Sequence, residues 1–241
     1  MDITFLSAHL DDAVYSCGGL IHKLVQEGHD VEVQTFFTGD PNVETLSPFA
    51  RELHARWGVE AGPMSLRRIE DQNACEYLGA TYKHHAFLDC VYRVDRDGNH
   101  IYLDVDAIFG KKLAVDDGLI DDIAGIIRTI VDSGRVIYAP LTHGNHIDHQ
   151  IMREAAERFE GVQFYFDLPY GLRSKKIPEN LISGDMELQT LELSDENLEA
   201  WAVGCELYES QFNDYWSSPK HLRRQLRKYI KQFNGFQIWK R

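Results

Sequence analysis

The chain has 241 residues, enough for one large domain with a substantial buried core. Its 25 Lys and Arg face 38 Asp and Glu, a net charge of −13, which argues against sequence-independent nucleic-acid binding and against anionic membrane surfaces. A hydrophobic share of 44% and a charged share of 26% exclude wholesale disorder, and no apolar run is long enough for a membrane-spanning helix.

The N-terminal stretch carries no cationic segment ahead of an apolar one, so residues 3–8 read as a first strand and not as a signal peptide. Leu20, Ile21, Leu24 and Val25 recur at helical spacing and stop at Gly28. Val31, Val33, Thr35 and Phe37 alternate as a strand that breaks at residues 38–42. Helices are predicted over 47–57 and 66–78, the second closed by Gly79, then an extended run over 81–88 in which at least one of His84 and His85 is expected to be exposed. Residues 91–117 show no clear period. Asp97-Gly98-Asn99 marks a turn there, the aromatics Tyr92, Tyr102 and Phe109 read as packing residues, and Asp116, Asp117, Asp121 and Asp122 read as a helix start. A helix with an apolar face follows from Leu119 to Ile130, then a strand over 136–139 stopped by Pro140, a helix over 150–159 and a strand over 162–166. Helical stretches near 196–208 and 221–232, the latter with a basic solvated face, precede a last strand over 236–239.

This alternation predicts an α/β fold: a Rossmann-like, doubly wound, mainly parallel sheet with helices on both faces. A single domain over 1–241 is expected, with 92–117 an inserted loop or hairpin and 170–241 a divergent C-terminal part. The four cysteines are scattered without a CxxC pair, so no disulfide framework and a reducing cytoplasm are expected. In such sheets ligands sit beyond the carboxyl ends of the strands, which directs attention to the loops after Ala8 and after Ala139.

Those loops read Ala8-His9-Leu10-Asp11-Asp12 and His143-Gly144-Asn145-His146-Ile147-Asp148-His149. Alone, the first motif more often marks a solvated turn or a helix cap, and His-x-x-His is usually accidental. Together, at the ends of neighbouring strands, they offer the two imidazoles and one carboxylate of a hydrolytic divalent-metal site. The first turn lacks a GxGxxG phosphate cradle, which disfavours a dinucleotide binder.

The two motifs resemble those of the PIG-L / LmbE-like family of zinc-dependent N-acetylglucosaminyl deacetylases, which carries Ala-His-Pro-Asp-Asp after its first strand and His-x-x-His after a later one. Leu10 replaces the family proline, and Ala13 stands where a Glu often follows. The resemblance implies His9, Asp12 and His149 as metal ligands, with Zn²⁺ as the ion and Fe²⁺ or another divalent metal as alternatives. It implies Asp11 as general base and His146 as oxyanion stabiliser or proton donor to the amine, with Asp148 orienting a neighbouring imidazole. Arg67-Arg68-Ile69-Glu70 before Leu78-Gly79 is similar to a family helix, so Arg67 is implied as a sugar contact, as is Asp89; Arg67 and Glu70 could equally form a surface salt bridge. Trp201 and Gly204 replace the Lys and Ala that precede a late family motif matched at Tyr208 to Gln211, and packing is expected there. The implied substrate is a small N-acetylated amino sugar or conjugate, with no nucleic-acid or membrane partner and the oligomeric state open. Alternatives are amidase action on a sugar-linked thiol conjugate, or sugar or nucleotide binding without hydrolysis.

Overall fold

A computed structural model of the chain describes residues 1–58, 62–174 and 176–241. Seven strands, β1 (Asp2–Ser7), β2 (Asp30–Thr35), β3 (Thr81–His84), β4 (Val136–Pro140), β5 (Gln163–Tyr165), β6 (Glu187–Leu191) and β7 (Phe236–Lys240), form one sheet in the order β3-β2-β1-β4-β5-β7-β6. The first five are parallel to one another, and β7 joins β5 and β6 antiparallel. The expected mainly parallel α/β sheet is therefore present, with an antiparallel edge that the sequence pattern did not announce. β6 is exposed or half-buried along its whole length, and its leucines, Leu188 and Leu191, lie three apart, so no alternating apolar pattern marks it. β1 is its opposite: Ile3, Thr4, Phe5, Leu6 and Ser7 are all buried, as in a strand covered on both faces.

Parallel neighbours need crossovers, and helices supply them. α1 (Asp12–Gln26) carries the chain from β1 to β2; α2 (Pro48–Arg56) and α3 (Pro63–Tyr77) precede β3. The short α4 (Val105–Ile108) and then α5 (Asp117–Asp132) precede β4, and α6 (Ile147–Ala156) joins β4 to β5. α7 (Asp195–Glu206), α8 (Glu209–Tyr215) and α9 (Pro219–Phe233) follow β6. β1 pairs with β2 on one side and β4 on the other, so the strand order reverses between β1 and β4. Ile3 lies opposite Val136 and Phe5 opposite Tyr138, whose rings stack at 4.6 Å, and this register sets the loops after β1 and β4 side by side. No helix among the described residues is long and apolar enough to cross a membrane.

Two helices begin earlier than their apolar periodicity indicated. α1 starts at Asp12, because its first turns are fully buried and so show no amphipathic contrast. α6 starts at Ile147, capped by His146, whose Nδ1 accepts the Asp148 N–H at 3.3 Å; Asp148 and His149 thus stand on the first turn of a helix and not in a loop. Neither His84 nor His85 is exposed: both are partly buried, bonded to Asp71 Oδ2 and Gln34 Oε1 at 2.8 Å.

Gly18 and Gly19 let α7 approach α1 closely. Trp201 donates its indole N–H to Val14 O and Tyr15 O at 2.9 and 3.0 Å, and a Cβ on Gly18 would lie 2.6 Å from its Cδ1. Trp201 is fully buried and cannot swing aside, so the packing reading of this position holds. Gly18→Val is expected to destabilise the protein by about 1–3 kcal/mol through overpacking; a urea midpoint equal to that of the native protein would contradict this contact.

Candidate active site

The reversal point between β1 and β4 opens into a cavity of about 630 Å³. His9, Asp11, Asp12, Arg67, Asp89 and His146 line it, while Asp148 and His149 are buried and do not line it. The side chains implied by the sequence motifs therefore come together from the two loops, from α3 and from the segment after β3.

Asp12 Oδ2 is the meeting point. It lies 3.1 Å from His9 Nδ1 and 3.0 Å from His149 Nε2, and it also accepts the His9 backbone N–H at 2.8 Å. The other nitrogen of each imidazole is already engaged. His9 Nε2 lies 2.9 Å from Asp148 Oδ2, and His149 Nδ1 lies 2.7 Å from Asp167 Oδ1. In neutral rings each distal nitrogen donates to a carboxylate, which leaves the lone pairs on His9 Nδ1 and His149 Nε2, the nitrogens next to Asp12 Oδ2. His149 Nε2 approaches Asp12 without hydrogen-bond alignment and has no hydrogen-bond partner although it is buried. A buried, unsatisfied imidazole nitrogen beside a carboxylate oxygen is the donor set of a divalent cation, so the residues fit one. Among the described residues, the sets whose donor atoms all lie within 4.8 Å of one another are His9, His146 and His149; Cys90, His146 and Asp148; and His9, Asp89 and Asp148, whereas His9 and His149 are joined to Asp12 through the single oxygen Oδ2.

Asp11 and Asp12 are adjacent but electrostatically opposite. Burial opposes ionisation of Asp12, yet His149 and then His9 outweigh it and hold the carboxyl well below the usual range. Burial, reinforced by the charge of Asp12 and resisted by Arg67, pushes Asp11 up to about 8. The backbone explains their divergence: Asp11 is the N-cap of α1 with φ 155, not a strand residue, so its side chain turns toward Arg67 while Asp12 enters the helix. Burial above all holds His146 well below the ordinary histidine value. His146 is therefore neutral, and since its Nδ1 accepts the Asp148 N–H, its Nε2 carries the proton.

Arg67 and Glu70 do not form a surface pair. Arg67 is 4% exposed, with Nη2 3.7 Å from Asp11 Oδ2 and its guanidinium over the Trp57 ring at 5.0 Å. Glu70 turns the other way, accepting from Ser210 N and Oγ at 2.8 and 2.6 Å and so fixing α8. Asp89 both caps a turn, accepting Val91 N–H at 3.1 Å, and brings Oδ2 to 3.5 Å from His9 Nε2. Phe109 is more than packing: it lines the cavity, with its ring centre 5.4 Å from that of His146.

Sequence reasoning missed a supporting layer. Asp167, just after β5, holds His149, and its position at a strand end was the available signal. Asp148 also accepts the Cys90 N–H at 3.0 Å and pairs with Arg93. Arg93 in turn bonds Asp116 Oδ1 at 3.0 Å, and Asp116 Oδ2 accepts Tyr102 O–H at 2.5 Å. Asp116 is the N-cap residue of α5, as the reading of a helix start expected, but its side chain makes no capping bond and faces inward. The segment expected to be a decoration reaches the centre through a chain of buried charges from Asp116 through Arg93 and Asp148 to His9. Arg93→Leu would strand two buried carboxylates, and a loss of about 3–5 kcal/mol in urea-induced unfolding is expected; a loss under about 1 kcal/mol would show that the chain is not coupled.

A model of the family described as PIG-L, GlcNAc-PI de-N-acetylase, matches residues 4–159. The 2'-N-acetylparomamine deacetylase of Niallia circulans is 26% identical over 186 residues, covering 69% of this chain and 66% of that protein. The enzyme of the same description from Streptomyces fradiae is 28% identical over 172 residues, covering 68% and 56%. The chain thus spans about two thirds or less of these curated relatives. Among solved structures, a zinc-inhibited form of a teicoplanin deacetylase is similar with a TM-score of 0.84 and 28% identity, over 99% of this chain and 97% of that one. A deacetylase–teicoplanin complex gives 0.83 and 26%, with the same coverage.

Proposed function

Because the chain belongs to the PIG-L family of de-N-acetylases, we propose that it is a divalent-metal hydrolase that removes the acetyl group from an N-acetylated amino sugar or its conjugate. The observation that carries this reading is that His9 Nδ1 and His149 Nε2 both lie about 3 Å from Asp12 Oδ2, next to Asp11, with His9, Asp11 and Asp12 lining the cavity and His149 buried behind them. The relatives are deacetylases, which favours this reading over a thiol-conjugate amidase or a binding protein without hydrolysis.

His9, Asp12 and His149 would hold the ion, taken as zinc on the strength of the nitrogen and oxygen donors, with iron(II) the alternative. When bound, such an ion supplies Lewis acidity that polarises an amide carbonyl and acidifies water. Asp11 takes a proton from the attacking water and returns it to the departing amine. The proton affinity that burial and Asp12 confer on it suits a group that must accept and then release a proton. His146 presents Nε2–H to the oxygen on which negative charge develops, and its neutrality makes it a hydrogen-bond donor and not a second cation. Arg67 and Asp89, both buried at the cavity wall, grip sugar hydroxyls, and Asp148 fixes the tautomer and direction of His9. One domain carries all of this. The four free, buried cysteines suit a reducing cytoplasm.

Asp11→Asn is expected to lower kcat by about 10²–10⁴-fold while metal content per chain stays native, whereas His149→Ala is expected to lose the metal. Amine release from N-acetylglucosamine derivatives and elemental analysis of the purified variants check both. Near-native turnover in Asp11→Asn, or a full metal complement in His149→Ala, would overturn the assignments.

A further inference from the structure

Backbone strain in this chain is concentrated in the loops after β1 and β4. Among the described residues, the non-glycine residues with positive φ are Asp11, Thr142, Asn145 and Asn234. Asn234 ends α9, where a left-handed asparagine is common. The other three lie in the two loops that build the site. Thr142, at φ 68, is the outlier, because a β-branched side chain is crowded in the left-handed region and asparagine is tolerated there. A glycine would adopt this conformation freely, so the contacts of the threonine side chain bear on what the strain is for. Strand pairing continues to Leu141, whose N–H donates to Tyr165 O at 2.8 Å. The chain then turns, and Asn145 N–H donates to Thr142 O at 3.2 Å, closing four residues that end just before His146. Thr142 is buried, and its hydroxyl donates to His149 O at 3.0 Å, which latches the start of the turn to α6. The next peptide points His143 N–H at Asp167 Oδ2, 2.8 Å away, on the same carboxylate that anchors His149. The far end of the turn is held by Asn145 Nδ2, which donates to Phe109 O and Gly110 O at 2.9 and 2.7 Å.

We propose that Thr142 is a positioning residue for the reaction: the strained turn it begins, latched to α6 by its hydroxyl, fixes the direction from which His146 presents Nε2–H. The proposal rests on the deacetylase reading and adds to it a residue that does not line the cavity. The bonds that orient the His146 ring itself are long: Nδ1 accepts the Asp148 N–H at 3.3 Å, and Nε2 lies 3.9 Å from Cys90 Sγ. The direction of the ring therefore follows the backbone that delivers it, and a donor to a developing oxyanion works only when it is already aimed. A left-handed threonine persists only where surrounding bonds over-determine it. Here the ties to α6, to Asp167 and to the Phe109–Gly110 carbonyls do so. Without the hydroxyl the turn loses its tie to α6. The backbone can then relax toward ordinary φ, which moves His143 N–H off Asp167 and shifts Asn145, the residue next to His146.

The test uses Thr142→Val, which keeps the shape and removes the hydroxyl, Thr142→Gly, which also frees the backbone, and Thr142→Ser, which keeps the hydroxyl. Amine release from N-acetylglucosamine derivatives is measured with the metal-loaded enzyme. The imidazole nitrogens of the ¹⁵N-histidine-labelled apoprotein are followed by NMR, with His146 assigned by its loss in His146→Gln; this readout needs neither metal nor turnover. Val and Gly are each expected to lower kcat at least about tenfold, with KM and metal content native. In both, the His146 signal is expected to change from one tautomer, protonated on Nε2, to an average of two. Ser is expected to restore kcat and the single tautomer. Native kcat in Val, a loss carried by KM or by missing metal, or a Ser variant no better than Val would overturn the role of Thr142. Should Gly not fold, Val decides. No amine from the native protein with any derivative would overturn the deacetylase reading instead. The positioning of His146 would then stand on the tautomer signal, and would fall if Val left that signal unchanged.

Discussion

Two imidazole nitrogens stand about 3 Å from one carboxylate oxygen, Asp12 Oδ2, at the buried edge of the cavity. Such crowding is tolerable only because each ring is anchored from behind, His9 by Asp148 and His149 by Asp167. The anchors decide which nitrogen of each ring keeps a lone pair, and so where those lone pairs meet. Free rotation of either ring would dissolve the arrangement, and both anchoring carboxylates are almost fully buried. The chemistry of the site thus depends on acids that do not touch a reacting atom.

The scaffold explains why this is affordable at the reversal point of the sheet. β1 and β4 are adjacent and in register, so the motif after each meets the other without a long reach. Both motifs end by entering helices, α1 and α6, whose amino-terminal ends favour the carboxylates Asp12 and Asp148 in their first turns. The third and fourth contributions, Asp167 after β5 and Asp89 after β3, also come from carboxyl ends of strands. Arg93 balances the charge of Asp148 from the segment before α5, which ties a region of irregular structure to the centre of the molecule.

Much of this was legible in the sequence because burial and periodicity leave a local trace there. The run Ile3 to Ala8 read as a central strand, and the faces of α5 and α9 read as helices. His9, Asp11, Asp12, His146 and His149 sit at fixed short spacings at strand ends. The illegible parts lack any local trace. β6 is exposed or half-buried throughout and its two leucines, Leu188 and Leu191, are three apart and so break the strand period, which leaves little to distinguish it from a loop until it pairs with β7. The starts of α1 and α6 are buried on all sides, which erases the amphipathic contrast. Asp167, Arg93 and Asp116 carry ordinary side chains in ordinary contexts; their roles arise from pairings across 18, 55 and 23 residues, which no spacing rule reaches.

The central claim concerns where a cation sits. The most direct measurement is anomalous diffraction at the zinc absorption edge from crystals of the protein grown with one equivalent of Zn²⁺. The account predicts one principal peak about 2.0–2.2 Å from each of His9 Nδ1, Asp12 Oδ2 and His149 Nε2. A principal peak held by Cys90, His146 and Asp148 instead, or no ordered peak between β1 and β4, would contradict it.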